Sequence, residues 1–102
     1  MEIVYECENS KKKDLLKIIE ADPYEERSFA RVGYKLKDGE VIGQDKEKCY
    51  LYIKSDDGFF KIAEKKLEGI VKKCEEKVSK EVIEKIKEEE EQATSGFGDI
   101  FG

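Results

Sequence analysis

Cys49-Tyr50-Leu51-Tyr52-Ile53-Lys54-Ser55-Asp56-Asp57, running on to Phe60, Ala63, Leu67, Ile70 and Cys74, is the stretch whose reading decides the fold. In its first part Cys49, Leu51 and Ile53 alternate with Tyr50, Tyr52 and Lys54, the two-residue period of a β-strand. Ser55, Asp56 and Asp57 then supply capping oxygens and negative charge suited to a helix start. The apolar residues that follow recur at steps of three and four, which predicts an amphipathic helix. Both faces of the strand are partly apolar. That predicts either a central place in a sheet or a cover over Tyr50 and Tyr52, supplied by a helix or by a partner.

Upstream, residues 2–7 alternate, with Ile3, Tyr5 and Cys7 on one face and Glu2, Val4 and Glu6 on the other, and predict a first strand. Ser10 stands where an N-cap belongs, and Leu15, Leu16, Ile18 and Ile19 form a helical stripe that should stop near Ala21, ahead of Pro23. Residues 27–37 predict the strongest strand, Ala30, Val32, Tyr34 and Leu36 sharing a face against Phe29, Arg31, Gly33 and Lys35. Asp38-Gly39 reads as a tight turn into a returning strand that begins with residues 40–43. Residues 44–48 read as a polar loop.

Downstream, Gly69 leaves two readings open: it ends the helix, leaving residues 70–74 as a short edge strand, or it only weakens one long helix. Val78, Val82, Ile83 and Ile86 continue the helical pattern in either case. Residues 88–91 are four glutamates, the wrong sign for a helix C-terminus, so the helix is predicted to fray there. The expected fold is α+β, a mainly antiparallel sheet of three to five strands packed by two or three helices. Ferredoxin-like order leads if residues 70–74 are a strand. Residues 1–91 form the expected single domain and residues 92–102 a flexible Gly/Phe tail.

The chain has 102 residues, a length suited to one core, and 38% hydrophobic residues, enough to fill it. Twenty basic residues face 25 acidic ones, a net charge of −5, which argues against a general nucleic-acid binder. Only Lys11, Lys12 and Lys13 stand together, and they read as a solvated helical turn. Lys and Glu dominate the charges while amides are scarce, a composition of proteins from very hot habitats, so a thermophilic, archaeal origin is expected. No apolar run of secretory or membrane-spanning length follows Met1, and the cytoplasm is the expected compartment.

Catalytic constellations fail one by one. With no histidine in the chain, Ser–His and Cys–His nucleophile pairs are excluded. Cys7, Cys49 and Cys74 are odd in number and widely separated, so they read as three buried thiols rather than a disulfide framework or a zinc site. The adjacent carboxylates Asp56-Asp57 and Glu25-Glu26 point apart on any regular element, and no glycine loop joins a strand to a helix to hold phosphate. No enzyme, metal or cofactor is expected.

The tail carries the sharpest reading. Phe97, Ile100 and Phe101 lie at i, i+3 and i+4 in a glycine setting behind an acidic segment, the spacing of a short motif that docks into an apolar groove. A non-catalytic interaction or assembly module follows, homodimeric or bound to another protein, with Phe97, Ile100, Phe101, Tyr50 and Tyr52 as its contact residues. Two alternatives stand beside it. One is association with nucleic acid through Arg27, Arg31, Lys35 and Lys37, with Tyr34 for stacking. The other is a small-ligand or enzymatic site built from carboxylates and tyrosine.

The order strand, helix, strands, helix over residues 2–70, with Leu51-Tyr52-Ile53-Lys54-Ser55-Asp56-Asp57 entering Phe60-Lys61-Ile62-Ala63-Glu64-Lys65-Lys66-Leu67, resembles the small dimerising subunit of archaeal KEOPS tRNA-modification complexes. The resemblance implies an accessory subunit of a nucleic-acid-associated assembly, and it carries no functional residue onto this chain.

Overall fold

The computed structural model describes residues 1–21 and 28–101, with side chains up to Glu91. Among these, the elements run β1 (Glu2–Glu8), a 3-10 turn (Asn9–Lys11), α1 (Lys12–Ile19), α2 (Phe29–Val32), β2 (Tyr34–Asp38), β3 (Lys48–Lys54), α3 (Asp57–Lys66), β4 (Lys72–Lys73) and α4 (Glu76–Phe101). The sheet order is β2-β3-β1-β4 with every neighbouring pair antiparallel. This is the split-βαβ, ferredoxin-like arrangement, an α+β fold as the sequence predicts.

The two central strands explain the two-sided apolar pattern. On one face Ile3, Tyr5 and Cys7 of β1 and Cys49, Leu51 and Ile53 of β3 pack under Leu15 and Ile19 of α1 and Phe59, Phe60 and Ala63 of α3. On the other, Val4 and Tyr50 pack under Val82 and Ile86 of α4, together with Ile42 and Cys74. Both strands are therefore covered twice, and the protein has three layers rather than two.

Local chemistry sets the element ends. Asp56 caps α3 by accepting from the amide of Phe59 at 2.8 Å, the role its sequence position predicts. Gly69 adopts φ +79°, a conformation open to glycine at little cost. The chain turns there into β4, and the amide of Cys74 extends the pairing by donating to the carbonyl of Val4 at 3.0 Å. The strand reading of residues 70–74 is the one realised.

Three expectations are corrected. The strand over residues 27–37 begins only at Tyr34, because Ser28 accepts from the amide of Arg31 at 3.2 Å and caps a single helical turn. That turn seats Phe29 edge-on against Phe59, ring centroids 5.3 Å apart, and Gly33 at φ +89° releases the chain into β2. Arg27 lies outside the described residues.

The returning strand at residues 40–43 is absent. The amides of Val41, Ile42 and Gln44 turn back onto the carbonyls of Asp38 and Gly39, and the resulting compact loop buries Ile42 beneath α4. The pairing partner of β2 starts only at Lys48.

Residues 88–91 lie inside α4 rather than at a fraying end. Glu89 pairs with Lys37 at 3.0 Å and Glu90 with Lys35, so lysines of β2 offset part of the negative charge of this acidic stretch. The side chains of residues 92–102, and with them Phe97, Ile100 and Phe101, lie outside the described set. Among the described residues no helix is long and apolar enough to cross a membrane.

Candidate functional site

The face of the sheet beneath α4 brings together four of the residues singled out from the sequence, Tyr50, Tyr52, Lys35 and Lys37. Pairing of β2 with β3 sets Lys35 opposite Tyr52 and Lys37 opposite Tyr50, so a row of two lysines lies beside a row of two tyrosines. On the far side of β3, Val4 stands opposite Tyr52 and Glu6 opposite Tyr50. The face is thus basic and aromatic over β2 and β3 and acidic along β1.

Its polar groups are matched within the chain. The Tyr52 hydroxyl donates to the Glu2 carboxylate at 2.6 Å, and Lys87 of α4 approaches the same carboxylate at 3.7 Å. Hydrogen bonding by Tyr52 holds the Glu2 carboxyl below its ordinary range, while burial, aided by Glu2, pushes the Tyr52 hydroxyl up to about 12. Lys48 reaches Glu6 at 3.4 Å. Tyr50 is only 3% exposed, and its hydroxyl is raised chiefly by burial.

The cover predicted over Tyr50 and Tyr52 is therefore the chain's own α4. Of the alternative nucleic-acid set, Lys35 and Lys37 come together on this face but are engaged by Glu90 and Glu89. Arg31 sits apart on α2. A cleft of about 430 Å³ opens where α4 crosses the β2–β3 edge, lined by Lys35, Tyr52, Lys54, Ile86 and Lys87 among others. Its charges are mixed: Glu2 and Glu90 also line it, the first accepting from Tyr52 and the second paired with Lys35.

Carboxylate chemistry finds no other centre here. Asp56 is committed to its cap, and Glu25 and Glu26 lie outside the described residues. Among those described, no group of three or more histidine, cysteine or acidic side chains is placed to hold a metal ion.

The path of α4 is the most informative feature. The helix starts beside β4, packs Val82 and Ile86 over β1 and β3, and makes its last described side-chain contacts with Lys37 and Lys35 on β2. Because β2 is the edge of the sheet, residues 92–101 continue α4 past the last strand.

One juxtaposition escaped the sequence. Cys7 and Cys49 stand opposite each other across β1 and β3, although their separation along the chain suggested unrelated thiols. The signal was present in the alternation of both strands, but pairing them requires the register, which no local pattern contains.

The chain is, by its architecture, a ferredoxin-like four-stranded domain with an added helix closing the second face of its sheet. No protein-family model, no curated protein and no solved structure matches it.

Proposed function

We propose that this protein is a non-catalytic interaction module whose C-terminal segment, held out by α4, docks onto a partner protein or a second copy. The observation that carries this reading is the exit of α4 over the edge strand β2. The body anchors the helix as far as Glu89 and Glu90. Eleven further helical residues, 91–101, span about 16 Å at 1.5 Å each. On a helix, positions 97, 100 and 101 fall on one side, and Phe97, Ile100 and Phe101 occupy them. An apolar triplet at this spacing suits a hydrophobic groove.

Tyr50 and Tyr52 take a supporting role in this reading. They seat α4 on the sheet and so fix the direction in which the segment leaves. The same contacts speak against nucleic acid, since a phosphate chain would have to displace Glu89 and Glu90 from Lys37 and Lys35.

The test compares the full chain with a chain ending at Glu91, by light scattering at several concentrations and by crosslinking in an extract of the source cells. The core ends at Ile86, so truncation should remove only the helical signal of residues 92–101 from the circular dichroism and leave the cooperative melting of the body in place. A dimer that becomes a monomer identifies a second copy as the occupant. Loss of a crosslinked protein with unchanged mass identifies an outside partner. If neither mass nor crosslinks respond, the docking role is wrong.

A further inference from the structure

Cys7 and Cys49 are side by side on the face of the sheet covered by α1 and α3, both buried and both free thiols. The surrounding ladder identifies the kind of pair they form. The amide of Asn9 donates to the carbonyl of Glu47 at 3.0 Å, and at the other end the amide of Ser55 donates to the carbonyl of Met1 at 3.0 Å. Both bonds continue the register in which Glu2 faces Lys54 and Glu8 faces Lys48. Hydrogen-bonded pairs alternate along antiparallel strands, so stepping two residues in from Asn9 and Glu47 makes Cys7 and Cys49 a hydrogen-bonded pair. Such a pair has Cα atoms about 5.5 Å apart, within the span of about 4.4 to 6.8 Å that a disulfide bridges. Its Cβ atoms lie near the wide end of about 4.5 to 5.5 Å, so closing the bond draws the two strands together by about 1 Å. In the reduced protein the Cys7 thiol donates to the carbonyl of Glu8 at 3.4 Å.

We propose that Cys7 and Cys49 form a thiol–disulfide exchange site, closed to an intrachain disulfide by a low-molecular-weight disulfide. Cys7 is taken as the attacking sulfur because it is 2% exposed and Cys49 is 0%; a lysine charge lies near each thiol, Lys11 by Cys7 and Lys12 by Cys49. Its thiol loses a proton and the thiolate attacks the external disulfide, forming a mixed disulfide and expelling one thiolate, which takes up that proton. Cys49 then loses its proton and attacks the Cys7 sulfur, expelling the second external thiolate, which is protonated in turn. Two protein thiols are oxidised, and one external disulfide is reduced to two thiols. Burial slows the first attack by pushing the Cys7 thiol up to about 11, so exchange proceeds as the strands open or while the chain folds.

The product ties the two central strands together in their native register. Cys74 takes no part, because it packs on the opposite face with Val4 and Val82, and it serves as an internal control.

The experiment incubates the reduced full chain with oxidised glutathione, once folded and once during refolding from denaturant. Intact mass follows, then alkylation of the unfolded product. The expected result in at least one arm is loss of the mass of two hydrogens, with Cys74 as the one alkylated cysteine and a higher melting midpoint that reverts on reduction. Cys74→Ser should close the same bond, while Cys7→Ser and Cys49→Ser, checked for folding by circular dichroism, should not. Three alkylated cysteines in both arms, a bond that includes Cys74, or bonds only between chains would each overturn the proposal.

Discussion

Tyr52 on β3 and Glu2 on β1 are joined by a hydrogen bond of 2.6 Å from hydroxyl to carboxylate, at the place where Lys87 brings α4 down onto the sheet. The bond ties the folded state to the ionised carboxyl and the neutral hydroxyl. Glu2 is held below its usual 4.5, so its contribution is present above that value and is lost as pH falls through the lowered one. Tyr52 is raised from 10.0 to about 12, so its contribution is present below 10 and is lost as pH rises toward 12. Tyr52→Phe should therefore cost about 1 kcal/mol at pH 7, a charged hydrogen bond discounted for solvent. The cost should shrink as pH falls through the lowered Glu2 value; the acid comparison is made at the lowest pH at which both proteins stay folded. Urea midpoints of both proteins at the two pH values test this, and a pH-independent difference would contradict it.

Lys35 and Lys37 hold the acidic end of α4 through Glu90 and Glu89. Exposed pairs of this kind contribute about 0.2–1 kcal/mol each, so Lys35→Glu with Lys37→Glu should loosen that turn without unfolding the body. Amide hydrogen exchange around residues 86–91 should quicken severalfold, and adding Glu89→Lys and Glu90→Lys should restore protection. Unchanged exchange in the first variant would mean that the pairs do not anchor the helix.

Ile86 is 2% exposed and Val82 is fully buried under the sheet, which makes α4 part of the core. Ile86→Ala should cost about 2–4 kcal/mol and lower the melting midpoint by at least about 8 °C in a domain of this size. A loss below about 1 kcal/mol would show that α4 rests on the sheet without being packed into it.

Gly39 and Gly43 separate two reasons for glycine in one loop. A Cβ on Gly39 would overlap the backbone carbonyl of Asp45, whereas Gly43 has open space around it and φ +71°. Gly39→Ala should cost more than about 2 kcal/mol through backbone displacement, and Gly43→Ala about 1 kcal/mol through strain alone. Chemical denaturation of the two variants ranks them, and the reverse order would contradict the loop geometry.

The Lys- and Glu-rich surface reads as an adaptation to heat. The melting midpoint of the full chain should exceed about 65 °C, the upper end for ordinary mesophilic domains. A calorimetric scan at neutral pH settles the matter, and a midpoint lower than that would remove the case for a hot habitat.

Much of this architecture was legible locally. Period-two alternation around Tyr5 and Leu51 marked the central strands and Asp56 marked the start of α3, while Gly69 was legible as a break whose outcome, a turn into β4, the sequence left open. Each rests on interactions within a few residues: side-chain alternation, a cap, a positive φ. Local pattern misled where two periods overlap, as at residues 29–32, where a capped helical turn seats Phe29 against Phe59. It misled again after Asp38, where the burial of Ile42 under α4 outweighs the hairpin signal of Asp38-Gly39.

The sequence by itself determined that this chain has an α+β core, a strand at residues 49–54 apolar on both faces, and an apolar triplet at positions 97, 100 and 101. Only the tertiary structure decided that α4 covers the second face, that Lys35 and Lys37 answer its glutamates, and that Cys7 meets Cys49. The physical reason is distance along the chain. Strand alternation and helix caps are set by neighbours, whereas the choice of cover and register depends on the summed packing of residues dozens of positions apart, which no single segment encodes.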